Sequence, residues 1–142
     1  MSKKIKQIKV AKKQSLEICA AVLKPTGISF SFMFFQNKHE KFNYCDREIS
    51  YWITFLDRLK NLSSLTALEM MNNRSSALRC HPIDRTNTSE PGFGIPNEQQ
   101  LVETPYQFFL PSNAHGRVHG FFLDEVFYIV WLDPEHLLYP AK

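Results

Sequence analysis

His115, Arg117 and His119 lie two residues apart in the last part of this 142-residue chain, directly before its longest apolar run. On a β-strand, side chains at this spacing share one face. Arginine binds a phosphate through paired hydrogen bonds, and histidine transfers protons near neutral pH. The spacing therefore predicts metal-independent RNA cleavage, in which Arg117 steadies the phosphate and His119 or His115 is the general acid or base.

The same residues also fit a simpler interpretation, as solvated side chains on the outer face of an edge hairpin. Val118 and Phe122 are typical of a core-facing side, so we expect Arg117 and His119 on the exposed face. His136 and Tyr139 follow the last strand. They are expected to support the site if the tail folds back, although a structural role is the simpler interpretation for both.

A second basic group is predicted on a long loop spanning residues 73–105. Arg79, His81 and Arg85 lie there, and together they are expected to bind phosphate as a mobile lid. The alternative is that they are merely exposed. Gly and Pro residues recur through this segment and exclude a long regular element.

The first 13 residues carry six lysines and no acid, against a net charge of +3 for the whole chain, so the remainder is negative. A lysine-rich arm attracts RNA without sequence preference, although a solvated extension is an equally good interpretation. The RNA-binding lysines predicted on this basis are Lys3, Lys4, Lys6, Lys9, Lys12 and Lys13.

Composition narrows the classes of protein. Hydrophobic residues make up 44% of the chain, which predicts a packed domain rather than disorder. Three separated cysteines with no CxxC pair suit a reducing cytoplasm and make a metal site improbable, and no cofactor is predicted. No apolar run is long enough to span a bilayer, and no apolar segment follows the first lysines, so neither membrane insertion nor a signal peptide is expected.

The order of predicted elements favours an α+β fold. It comprises an arm or helix at 1–24, then a single domain at 25–142 with a hairpin at 28–45, a helix at 46–61, a short helix at 65–72, the long loop, and strands at 106–110, 117–122 and 126–132. Asp46 is the expected N-cap of the first helix, and Thr66 with Glu69 predicts a capping box for the second. Segregated strands and helices predict an antiparallel sheet of about five strands, with a helical hairpin on one face and the other face partly open.

This arrangement, with His and Arg on the penultimate strand, resembles the RelE/ParE-like toxins of bacterial toxin–antitoxin modules. The run at 127–139 also resembles the ending of a small uncharacterised bacterial protein family. The toxin resemblance implies mRNA cleavage without a metal, on or off the ribosome, and neutralisation by an antitoxin protein in a toxin–antitoxin or phage-defence module. The hairpin at 28–45 and the long loop depart from the toxin pattern, so only Arg117 and His119 are carried over as catalytic candidates.

Two other functions remain open from sequence. The Phe-rich strand and helical hairpin also suit a non-enzymatic protein-interaction module, in which the polar residues are only surface. The lysine-rich arm alone suits a nonspecific nucleic-acid binder.

Overall fold

The computed structural model describes residues 27–73, 75, 78–111 and 115–139 of the chain. The six N-terminal lysines and the predicted arm therefore lie outside the described residues. The α+β fold is confirmed. Its elements are β1 (Ser29–Ser31), α1 (Ile49–Leu62), α2 (Ala67–Met71), β2 (His81–Pro82), α3 (Glu98–Leu101), β3 (Pro105–Phe109), β4 (Arg117–Leu123) and β5 (Val126–Asp133).

The five strands form one sheet in the order β1-β5-β4-β3-β2. Strands β2 to β5 pair antiparallel, whereas β1 pairs parallel to β5. The predicted hairpin at 28–45 is therefore wrong, because only Ser29–Ser31 joins the sheet and its partner is β5. The alternation of apolar and polar residues in 28–35 specified a strand, but alternation carries no information about the partner strand.

The helices begin and end close to the predicted bounds because their local signals are strong. α1 buries Tyr51, Phe55, Leu59 and Leu62 on one side. Its N-cap is Glu48 rather than the predicted Asp46, and Glu48 makes no side-chain capping bond. The predicted capping box of α2 is confirmed, since the Thr66 hydroxyl accepts from the Glu69 N–H and the Glu69 carboxylate accepts from the Thr66 N–H.

Both faces of the sheet are covered. One core, on the side of the helices, includes Phe55, Phe108 and Ile129. A second core, on the opposite face, includes Phe42 and Phe93, which come from irregular segments rather than helices. The predicted partly open face is therefore wrong, because the segment after β1 and the long loop fold over it.

A register shift lies between β4 and β5. His119 pairs with Trp131 and Gly120 pairs with Ile129, so Val130 is an extra residue on β5. Val130 and Trp131 consequently both lie in the second core. After this bulge, side chains alternate between the two faces again, but shifted by one residue. Gly120 permits this close approach, since a Cβ there would overlap the carbonyl oxygen of Tyr128.

Candidate functional site

Two rows of polar and aromatic side chains cross the sheet on its loop-covered face. The inner row follows the strand register through His81, Gln107, His119 and Trp131. The outer row contains Arg79, Phe109, Arg117 and Asp133. The structure therefore brings Arg79 and Arg117 to one ring and places His81 in the same row as His119, although the sequence predicts Arg79 and His81 in a separate lid.

The outer row places two arginines on one aromatic ring. Cζ of Arg117 lies 4.2 Å from the centroid of the Phe109 ring, and Cζ of Arg79 lies 5.4 Å from the same centroid. The Phe109 N–H donates to the carbonyl of Leu78 at 2.7 Å, which fixes the chain next to Arg79 against β3. We call Arg79, Phe109 and Arg117 the arginine cluster.

Neither guanidinium group of the arginine cluster is within ion-pair distance of a carboxylate of the described residues. Burial lowers the pKa of Arg117, Asp133 opposes this effect, and Arg79 lowers the pKa further. An arginine keeps its charge despite such a shift, so the two cations remain close together and their repulsion favours binding of an anion.

The inner row begins with His81, and each of its two ring nitrogens has a hydrogen-bond partner. The Gln107 amide nitrogen lies 2.8 Å from Nε2 of His81, and Nδ1 of His81 lies 2.9 Å from the carbonyl oxygen of Pro82. These partners assign the proton to Nδ1 and a lone pair to Nε2. His81 is partly exposed, so this lone pair belongs to a histidine that a ligand can approach.

His119 lies deeper in the same row and is 0% exposed. The expectation that it occupies an exposed face is wrong, because Phe42 and Trp131 pack around its ring at centroid distances of 6.0 and 6.2 Å. Its Nε2 lies 3.1 Å from Oδ2 of Asp133, which is also buried. The pair lies beneath the surface and does not contact solvent.

Asp133 also organises the end of the chain. Its carboxylate accepts from the N–H groups of Leu137 at 2.8 Å and Leu138 at 3.0 Å. Burial alone would raise the pKa of Asp133, but the hydrogen bond from His119 and the two backbone donors hold it below its usual value. For the His119 ring, burial has the opposite effect and lowers the pKa, so the neutral form is favoured.

This pair makes fold stability sensitive to acid. Unfolded His119 binds a proton below about pH 6.5, its ordinary pKa, whereas the buried ring resists protonation. Asp133 acts in the same direction at lower pH, because its pKa is also lowered in the folded state. The unfolded state therefore binds more protons, and the free energy of unfolding falls on acidification. We expect the contribution of His119 to approach about 1.4 kcal/mol for each pH unit below 6.5.

Chemical denaturation at several pH values between 7 and 5 measures this effect. His119→Gln removes the titrating ring and is expected to flatten the pH dependence in this range. An equally steep loss of stability in this variant would show that other groups cause it.

His115 does not share the face of Arg117 and His119, so the predicted common parity is wrong. Its ring packs edge-on against Tyr51 of α1, at a centroid distance of 5.6 Å. The cause is Gly116, whose φ of 71° interrupts the strand alternation. A Cβ on Gly116 would overlap the carbonyl oxygen of Asp133, so no other residue fits there. His115 instead lines a separate cavity of about 260 Å³ at the start of α1.

Arg85 lies in the wall of a cavity of about 780 Å³. Arg85 begins a 3₁₀ turn that Asp84 caps. Cζ of Arg85 lies 4.5 Å from the centroid of the Phe93 ring. Glu98 is 3.9 Å away, and burial lowers the pKa of Arg85. Arg85 is therefore a half-buried wall residue of this cavity, and its predicted role in a mobile lid stays a prediction.

The two tail residues have different positions. The Tyr139 hydroxyl accepts from the Asp84 N–H at 2.9 Å, so the tail does fold back. Tyr139 is close enough to Arg85 and Arg117 to affect the pKa of both. His136 has a φ of 57°, and its N–H donates weakly to the Asp133 carbonyl at 3.4 Å. Tyr139 therefore lies near Arg85 and Arg117, whereas His136 belongs to the turn after β5.

Sequence reasoning missed Gln107, Phe109 and Asp133. Gln107 and Asp133 are buried polar residues within apolar strands, and a buried polar group needs a partner. That was the signal that could have placed them in a site. Among the described residues, no group of three His, Cys, Asp or Glu side chains is placed to hold a metal ion, and no helix is long and apolar enough to cross a membrane.

Comparison with known proteins gives no relative for this chain. It matches no family model, no curated protein and no solved structure. The function must therefore be inferred from the arginine cluster and its neighbours.

Proposed function

We propose that this chain binds RNA through its phosphate backbone at the arginine cluster and cleaves it there without a metal, as a toxin-like endoribonuclease. The observation that supports this proposal most directly is the pair of guanidinium groups on the Phe109 ring, neither of them paired with a carboxylate of the described residues. Guanidinium groups match phosphate oxygens in geometry and charge.

The neighbouring inner row supplies a group for proton transfer. His81 follows Arg79 by two residues and lies in the same row as His119, with Gln107 of β3 between them. Its Nε2 lone pair now accepts from the Gln107 amide, and a ribose 2′-hydroxyl can replace that donor. We assign the general base to His81 rather than to the buried His119.

The reaction is an internal transfer at phosphorus. The 2′-oxygen bonds to phosphorus as Nε2 of His81 takes its proton, and the bond from phosphorus to the 5′-oxygen breaks. The leaving 5′-oxygen takes a proton from solvent water, which yields a 2′,3′-cyclic phosphate and a 5′-hydroxyl end. Arg79 and Arg117 stabilise the extra negative charge on the phosphorane. His119 and Asp133 only hold β4 and the tail in position.

The biological setting follows from the substrate. RNA and ribosomes lie in the cytoplasm, where we place the activity. Binding of the ribosome and neutralisation by an antitoxin protein are supported by the toxin resemblance alone, and no described contact bears on them. Attraction of RNA by the six N-terminal lysines stays a prediction, because those residues lie outside the described part of the chain.

Cleavage is tested on a labelled single-stranded RNA in EDTA, with the all-deoxy strand of the same sequence as control. We expect the RNA to be cut and the DNA to stay intact, because the nucleophile is the 2′-hydroxyl. His81→Ala is expected to slow cleavage by at least about 100-fold, the usual contribution of a general base, while RNA affinity changes little.

Three results would count against the proposal. Unchanged cleavage by His81→Ala would exclude His81 as the base. Binding without cleavage by the wild type would reduce the function to RNA binding. An absence of RNA binding at low salt would refute the proposal as a whole.

A further inference from the structure

The outer face of α1 carries apolar residues that the described part of the chain leaves exposed. Ile49 is 77% exposed, Ile53 is 55% exposed and Leu56 is 62% exposed. The opposite side of the same helix is buried in the core through Tyr51 and Phe55. An amphipathic helix in a monomer normally exposes polar residues on its outer face, so this face indicates a binding surface.

The exposed residues have the spacing of a helix-pairing seam. Ile49, Ile53, Leu56 and Lys60 are separated by four, three and four residues, which is the alternation of core positions in a heptad repeat. Four such positions form one continuous stripe along the helix. We call these four residues the α1 stripe.

We propose that the α1 stripe binds the α1 stripe of a second copy of this chain, with the two helices antiparallel about a two-fold axis. This inference is independent of the proposed RNA site. In that arrangement Ile53 packs against Leu56 of the second copy, and Ile49 packs against the aliphatic stem of its Lys60. Both contacts occur twice because of the symmetry.

The charges at the two ends of α1 identify the second copy and the antiparallel direction. At the start of the helix, Asp46 and Glu48 are exposed and Arg47 is paired with Glu135. Near its end, Asp57, Arg58 and Lys60 together carry one net positive charge. Antiparallel pairing brings the acidic start of one helix to the basic end of the other. Parallel pairing would bring like charges together, so the surface is complementary to itself only in the antiparallel direction.

The proposed contact is limited to one helix from each copy. A single pair of helices gives a small interface, so we expect a weak, concentration-dependent dimer rather than an obligate one.

Sedimentation equilibrium of the full chain over a wide concentration range tests the dimer. We expect a monomer–dimer equilibrium whose dissociation constant rises at least about tenfold in Ile53→Glu, equivalent to about 1.4 kcal/mol of association free energy. Leu68→Glu is the matched control, because Leu68 is 67% exposed on α2 and lies outside the stripe. Circular dichroism checks that both variants keep the fold.

Two charge variants test the direction of pairing. Lys60→Glu is expected to weaken the dimer, and Glu48→Lys in the same chain is expected to restore it. Cross-linking provides a second measurement in a background with Cys19→Ser and Cys45→Ser. If the helices pair antiparallel, a disulfide forms between an Ile53→Cys chain and a Leu56→Cys chain. If they pair parallel, disulfides form between two Ile53→Cys chains or between two Leu56→Cys chains.

Several results would overturn the inference. A wild-type chain that stays monomeric at every concentration excludes self-association. A dimer that survives Ile53→Glu, or is lost equally in Leu68→Glu, places the contact elsewhere. Binding of the stripe to a different protein while the chain stays monomeric would assign this surface to a heterologous partner.

Discussion

Asp133→Ala is expected to lower the free energy of unfolding by about 3–5 kcal/mol, enough to unfold a marginal domain. The substitution removes the acceptor of the His119 ring and of the Leu137 and Leu138 N–H groups. All of these hydrogen bonds converge on a carboxylate that is 1% exposed. The His119 and Leu138 donors are buried and would retain their desolvation cost when left unpaired, which is why one residue has so large an effect.

Urea denaturation followed by circular dichroism measures this loss. Asp57→Ala is the matched control, since Asp57 is exposed on α1, and it should change stability by less than about 0.5 kcal/mol. If Asp133→Ala does not fold, Asp133→Asn provides the test, because its amide oxygen still accepts one hydrogen bond while its nitrogen opposes another donor. A stability close to wild type in both variants would show that the pair contributes little to the fold.

Local signals in the sequence predicted the elements well but not their partners. The helical spacing in α1, the capping box of α2 and the apolar run of β5 each depend on residues close together in the chain, so each predicts its element directly. The same spacing predicts Ile49, Ile53 and Leu56 on the core-facing side of α1, which is wrong, because all three are exposed. The partner of β1 depends on residues almost 100 positions away. No feature of residues 28–35 distinguishes a parallel edge strand from the first arm of a hairpin.

The candidate site was predicted as two separate groups for the same reason. Arg117 and Arg79 were both selected for phosphate binding, but only the pairing of β3 with both neighbours brings them to one ring, that of Phe109. The exposure of His119 was predicted wrongly because burial on the second face depends on Phe42, which arrives from an irregular segment. Side-chain alternation predicts which residues share a face but not what covers that face.

Replacing both arginines of the cluster, in Arg79→Ala/Arg117→Ala, is expected to weaken RNA binding by at least about 100-fold at low salt. Each charge-assisted contact with a phosphate contributes about 1.5–3 kcal/mol, and the double variant removes both. The slope of log affinity against log salt should fall in magnitude by about 1.4 for single-stranded RNA, because two fewer counterions are released. Fluorescence anisotropy with a labelled RNA measures both quantities.

The salt slope distinguishes this cluster from a general effect of positive charge. Lys38→Ala/Lys41→Ala removes the same charge from exposed side chains outside both the cluster and the α1 stripe, and should leave RNA affinity within about threefold of the wild type. Arg79→Lys/Arg117→Lys keeps both charges but loses the planar paired donors, so we expect its affinity to lie between those of the wild type and the double alanine variant. Equal losses in the exposed-lysine control would mean that RNA is attracted by net charge alone.

Induced expression in a bacterial host extends the same comparison to the cell. If RNA cleavage at the cluster is toxic, wild-type chain arrests growth, and the double arginine variant relieves the arrest at equal expression and with an unchanged fold. Truncating Arg117 also uncovers the Phe109 ring, so unfolding of the purified variant must be measured beside growth. Arrest that persists in a folded double arginine variant would exclude the arginine cluster as the toxic site and move attention to Arg85 and the cavity of about 780 Å³ beside it.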